Sequence, residues 1–212
     1  NSVYYSVQRV LRIDANHVPF LRGFMLRIGI LASTKGTDMQ AIINAINSKK
    51  LNAAISVVIS DKKKSYALER AKNNGIRAVF IDSKGMEREA YDKEVAKELD
   101  KSKPGIILLI GWMRILSPWF VRRYKNRIIN IHPSLLPAFA GGMDKDVHQQ
   151  VLGKGCKVTG CTLHFVDESL DNGRIIMQKA VEIAENETAD SLKEKVQKAE
   201  QEIILKFLKK IS

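Results

Sequence analysis

The chain has no apolar run approaching the roughly 20 residues that a helix needs to cross a bilayer, which argues against a membrane protein. Cysteine is scarce: Cys156 and Cys161 are the two in 212 residues, five apart around Val158-Thr159-Gly160. That spacing suits no metal site, so no metal is expected. Without a secretory signal, the pair reads as two reduced thiols of a cytoplasmic protein. Repeats and low-complexity linkers are lacking too, and the length is near that at which one domain with a sizeable core is the default. Acids are in deficit: 23 Asp and Glu against 35 Lys and Arg leave a formal charge of +12. Such a surplus suits nucleic acid or small anionic ligands. The lysines of Lys62-Lys63-Lys64 and of Lys193 to Lys198 have no aromatics between them. They read as solvated helical faces, and no nucleic-acid partner is expected. The remaining composition, 45% apolar and 27% charged, is ordinary for a globular protein.

Residues 1 to 24 show no sustained periodicity, and Met25 directly precedes the first strand-like run, Leu26-Arg27-Ile28-Gly29-Ile30-Leu31. The expectation is an N-terminal extension outside the core, followed by a single domain over 25 to 212. A targeting peptide is the rival reading, since the segment has three arginines and one acid, but it is poor in serine. From Met25 onward strand and helix patterns alternate, which predicts an α/β fold: a Rossmann-like, mostly parallel sheet with helices on both faces. Strands are expected at Arg27 to Leu31, Ile55 to Ser60, Ala78 to Ile81, Gly105 to Ile110 and Arg127 to Asn130. Helices are expected at Met39 to Ser48, Ser65 to Asn74, Arg88 to Lys101 and Pro118 to Tyr124. Thr159 to Val166 and Arg174 to Ile183 read as a β-hairpin added to the same sheet. A last helix from about Ala189 to Lys209 places Leu192, Val196, Ala199, Ile203 and Phe207 on one face.

The most informative string is Asn130-Ile131-His132-Pro133-Ser134-Leu135-Leu136-Pro137. At a strand end, side chains two apart share a face, so an amide donor and an imidazole can point at one reacting group. The prolines remove backbone donors and end the strand, which puts the pair at the rim where open α/β sheets hold ligands. An isolated histidine there would more often be structural. Ser134 has a histidine nearby but no independent activation signal, so no covalent nucleophile is expected.

Three other segments have a plain reading first. The loop Ala32 to Gln40 has the position of a phosphate cradle, with Gly36 allowing close approach and Thr37 with Gln40 fitting a capping box; an ordinary capped turn fits equally. Gly111 to Pro118 leads from a strand into a helix capped by Ser117 with Pro118 at its first position. His164 to Gly173 carries three acids in five residues before Asn172-Gly173, the composition of a solvated hairpin turn. His164 itself reads as structural.

Taken together, these strings resemble the formyltetrahydrofolate-dependent formyltransferases, and within them the glycinamide ribonucleotide branch, from Met25 to about Phe207. The resemblance implies transfer of a formyl group from 10-formyltetrahydrofolate, a co-substrate, to the amine of glycinamide ribonucleotide in purine synthesis. It implies Asn130, His132 and Asp171 as catalytic residues. It assigns Gly36, Thr37 and Asp38 to the ribonucleotide phosphate, with Lys35 beside them, and Glu200 with Gln197 to the ribose. For the folate it assigns Met113, Arg114, Ile115 and Leu116 to the pterin slot, the Asp167 to Asp171 backbone to the pterin edge, Asn130 to the formyl end and Arg88 to the glutamate tail. Both ligands are anionic, which suits the basic surface. A monomer or homodimer is expected.

The chain departs from the family at two places. Asp38 puts a carboxylate where an amide is usual, and Lys35 is expected to offset it. The stretch Ala138 to Gln150 is longer than expected, and its His148 reads as a helix-surface histidine. Two other functions share some of these features. A formyltetrahydrofolate hydrolase would use the same Asn-His-Asp set but normally carries an N-terminal regulatory domain. A non-catalytic RNA-binding module would explain the charge but not the three residues.

Overall fold

The computed structural model describes residues 25–142 and 144–212; the extension expected at 1–24 lies outside the described residues. Seven strands form one sheet: β1 (Leu26–Leu31), β2 (Ala53–Ser60), β3 (Ala78–Phe80), β4 (Ile106–Leu109), β5 (Ile128–His132), β6 (Val158–Phe165) and β7 (Ile175–Glu182), in the order β3-β2-β1-β4-β5-β6-β7. β1 to β5 pair in parallel, while β6 lies antiparallel on β5 and β7 antiparallel on β6, as the hairpin reading required. The helices are α1 (Thr37–Asn47), α2 (Tyr66–Asn73), α3 (Arg88–Ser102), α4 (Pro118–Arg123), α5 (Asp144–Gly153) and α6 (Ala189–Ile211).

The period of two along β4 divides the interior. Ile106 and Leu108 join α1, α2 and α6 in one apolar core, while Ile107 and Leu109 join α3 and α4 in the other. Because both faces are covered, β4 is apolar at every position and shows no alternation of polar residues. The expected stripe on α6 is buried: Leu192, Val196, Ala199, Ile203 and Phe207 all pack on the sheet. That helix starts in a capping box in which the Thr188 side chain accepts from Ser191 N while the Ser191 side chain accepts from Thr188 N. Thr188→Ala should therefore cost about 1 kcal/mol, seen as a melting temperature lower by about 2–4 °C. An unchanged melting curve would show that packing alone holds the helix start.

Two expectations are corrected here. β5 does not stop at Asn130 but continues to His132, because β6 pairs along it with Asn130 opposite His164 and His132 opposite Thr162. The longer stretch after Pro137 folds into α5, and His148 is buried among it, 1% exposed, not on a helix surface. Among the described residues no helix is long and apolar enough to cross a membrane.

Candidate active site

The strand order reverses between β1 and β4, and at such a switch point the two flanking loops part to leave a crevice beyond the carboxyl ends of the strands. A cavity of about 370 Å³ lies there. Its walls come from the β1–α1 loop, the segment after β4, the end of β5, the β6–β7 loop and α6.

The β1–α1 loop enters its helix through Gly36, at φ 64° and ψ 38°. A side chain would be strained in this left-handed conformation, and a Cβ there would meet Ala67 Cβ at 3.0 Å, so glycine serves both the turn and the approach of α2. No side chain caps α1, which corrects the expected Thr37 and Gln40 box. Thr37 is the first helical residue, and its Oγ1 accepts from Gln197 Nε2 on α6. Gln40 is turned toward α2, accepting from Arg70 Nη1 at 3.0 Å, while Arg70 Nε donates to Lys35 O at 2.9 Å. The loop is thus tied at both ends to neighbouring helices.

Gly36, Thr37, Asp38, Gln197 and Glu200 all line the cavity. Asp38 and Glu200 are 5% and 9% exposed, so the carboxylate at position 38 is turned inward. Both stand near Cys161, whose thiol is pushed up first by burial and then by the carboxylates of Glu200 and Asp38. Lys35 is exposed and does not line this cavity. Arg88 is likewise exposed at the start of α3 and outside the cavity wall. Among the described residues of the wall, Arg114 is the only lysine or arginine, and its guanidinium lies over the Tyr91 ring at 4.3 Å.

Met113, Arg114, Ile115 and Leu116 form the wall after β4, held by the Met113 N–H donating to Ser33 Oγ at 3.1 Å. Met113 and Ile115 keep 38% and 53% of their surface exposed, an apolar slot suited to a flat ring. The helix after it starts as expected, with the Ser117 side chain accepting from Phe120 N and Pro118 first in the helix.

At the centre, Asn130 and His132 from β5 meet Asp171 from the β6–β7 loop. Asp171 adopts a left-handed φ of 50°, and its carboxylate turns inward onto four groups. Oδ2 lies 3.3 Å from His132 Nδ1 and accepts from Gly141 N at 2.9 Å, while Oδ1 accepts from Asn130 Nδ2 at 3.5 Å and lies 3.7 Å from His164 Nε2. His132 is 3% exposed, and its Nε2 donates to Phe139 O at 3.1 Å. Each ring nitrogen of His132 thus has an oxygen acceptor beside it, so the ring is placed to donate from either side. His164 differs. Its Nδ1 donates to Phe165 O at 2.9 Å, which leaves Nε2 to accept from Asn130 Nδ2 at 3.2 Å. Burial holds the His164 ring below the usual histidine range. It is structural, as read from the sequence, yet it orients the Asn130 amide directly.

Three contributors had no signal in the sequence. The carbonyl of Phe139 and the amide of Gly141 are backbone groups that only the path of the chain brings to the site. The contact of His164 with Asn130 follows from the antiparallel register, which pairs these two residues across β5 and β6. Both cysteines are free, and among the described residues no cluster of histidine, cysteine and acid has metal-holding geometry.

Comparison with known proteins gives consistent results. The Formyl transferase family matches residues 26–208. Phosphoribosylglycinamide formyltransferase of Escherichia coli (strain K12) is 39% identical over 179 residues, covering 84% of this chain and 83% of that one. The chain is also 41% identical over 177 residues to the trifunctional purine biosynthetic protein adenosine-3 of Drosophila melanogaster, where it spans 13% of the relative's length. Among solved structures, phosphoribosylglycinamide formyltransferase from Bacillus halodurans superposes with a TM-score of 0.82 at 38% identity, covering 87% of this chain and 94% of that one. With the match running through nearly every described element and with the Asn130, His132 and Asp171 cluster in the crevice, the chain belongs to the formyl transferase family.

Proposed function

We propose that the chain transfers a formyl group from 10-formyltetrahydrofolate to the amine of glycinamide ribonucleotide, the reaction named for the Escherichia coli relative, in the cytoplasm. The observation that carries this reading is the convergence of Asn130, His132 and Asp171 between an apolar slot and a glycine-cornered loop in one cavity. The slot of Met113 to Leu116 takes the pterin, and the backbone of Asp167 to Asp171 borders its edge. The loop at Gly36 to Asp38 takes the phosphate end of the ribonucleotide, with Gln197 and Glu200 toward the ribose. Those placements bring the amine and the formyl carbon together beside β5.

As the amine attacks, negative charge develops on the formyl oxygen. The Asn130 amide and the His132 ring donate to it, and such prepositioned donors often supply the largest single catalytic contribution. His132 must give up Phe139 O, or donate from Nδ1, to reach that oxygen. Asp171 holds the imidazolium and, directly or through water, receives the amine's proton and passes it toward the leaving folate nitrogen.

Incubating the protein with both substrates, and with the folate alone, tests the reading. Folate release that depends on the ribonucleotide supports transfer; equal release without it would make the chain a hydrolase. The inward carboxylate of Asp38 adds a second expectation. Asp38→Asn should lower the Michaelis constant for the ribonucleotide about tenfold by removing like charge beside the phosphate. Lys35→Ala, on the far side of the loop, should shift it by about fivefold at most, the scale of an exposed charge. Steady-state kinetics of the two variants check both, and a tenfold rise for Lys35→Ala would restore that lysine to the cradle.

A further inference from the structure

Behind the β1–α1 loop is a second cleft, more open than the first and about 560 Å³ in volume, within the range of small-molecule sites. Thr34 lines both spaces, so the two stand back to back across one loop. Their chemistry differs. The catalytic cavity has Arg114 as its one described lysine or arginine, whereas Lys35, Lys62, Lys63 and Lys64 all line the second cleft. Among these lysines stands one acid, Asp61, the residue directly after β2. It is 7% exposed; one oxygen lies 3.6 Å from Lys62 Nζ, and the other, Oδ1, is buried without a hydrogen-bond partner.

A buried carboxylate oxygen left unmatched is costly, and a hydroxyl donor would relieve it. In α/β sheets a carboxylate at the end of the second strand, beside the loop after the first, is placed to take the hydroxyls of a ribose. The rim adds two exposed rings, Tyr66 at 60% and Phe80 at 37%, faces on which a base can stack. Lysines for phosphates, a carboxylate for a ribose and rings for a base are three separate features in one cleft.

We propose that this cleft is a second ligand site, distinct from the formyl-transfer cavity, that binds a ribonucleoside diphosphate. Asp61 accepts from the ribose hydroxyls, Lys62, Lys63 and Lys64 hold the phosphates, and Tyr66 and Phe80 flank the base. A ligand there rests on the outer face of the loop whose inner face carries Gly36 and Thr37.

Calorimetric titration of the full chain with ADP, 2′,3′-dideoxy-ADP and pyrophosphate tests this. ADP should bind the unaltered protein and the Asp171→Asn variant alike. Asp61→Asn should weaken ADP at least about tenfold, as loss of a hydrogen bond to a charged group does, and leave pyrophosphate unchanged. The dideoxy analogue should bind the unaltered protein as weakly as ADP binds that variant. The exposed pair Lys63→Ala/Lys64→Ala should weaken ADP and pyrophosphate together, a readout that stands even if Asp61→Asn does not fold. Absence of ADP binding overturns the proposal. Equal affinity for ADP and pyrophosphate reduces the cleft to an anion patch and also overturns it, as would displacement of ADP by saturating glycinamide ribonucleotide with no effect of the lysine pair. A short RNA that binds through the same lysines more tightly than ADP would assign the cleft to nucleic acid instead. None of these outcomes depends on formyl transfer.

Discussion

Turnover of His132→Ala and of Asp171→Asn is expected to fall about 100-fold or more in each case, the scale on which an oxyanion donor or its proton partner contributes. The reason lies in the contacts. Asp171 Oδ2 is 3.3 Å from His132 Nδ1, and the same carboxylate reaches Asn130 and Gly141. Removing the charge at Asp171 takes away what holds His132 in place; removing the ring leaves the carboxylate without that partner. Because each depends on the other, the double variant should lose little more than the worse single variant. Rates multiplying to the product of the two losses would show independent roles. Melting temperatures near that of the unaltered protein would confirm that the losses are chemical.

Gly173→Ala is expected to reduce both stability and activity. A Cβ at this position overlaps the Phe165 carbonyl oxygen, lies 2.8 Å from its carbon and meets Asp167 N at 3.3 Å. These are backbone atoms at the end of β6 and the start of the loop, so nothing flexible can yield. Overpacking of this kind costs about 1–3 kcal/mol, a melting temperature lower by roughly 2–12 °C at this chain length. Asp171 sits two residues before the clash and is held by its left-handed backbone. Displacing it by an ångström should lower turnover by about 100-fold, as misplacement of reacting groups does. A variant that melts early but keeps full turnover would show that the loop positions Asp171 independently of the hairpin.

Much of this was legible along the chain. Ser117-Pro118 marked a helix start because both act on the few residues that follow them. The stripe on α6 was legible because a helix buried on one side repeats its apolar residues at a fixed period. The end of β5 was misplaced because its last two residues gain their strand partners from β6, some 30 residues later. Lys35 and Arg88 have the charge expected of ligand-binding residues, but charge carries no direction: one faces the second cleft and the other stands outside the cavity wall. Thr37 and Gln40 have the spacing of a cap, yet partners on α6 and α2 engage them.

Residue type and short-range spacing were enough for the α/β class, the alternation of strand and helix and the added hairpin, while the resemblance to the formyltransferases singled out Asn130, His132 and Asp171. The tertiary structure decided what those residues touch: that Phe139 O and Gly141 N complete the cluster, that His164 orients Asn130, that Asp38 faces inward while Lys35 faces away, and that a second cleft stands behind the first. Such contacts join groups far apart in the chain, several of them backbone atoms that every residue carries, and only packing the helices on both faces of the sheet brings them within hydrogen-bonding distance.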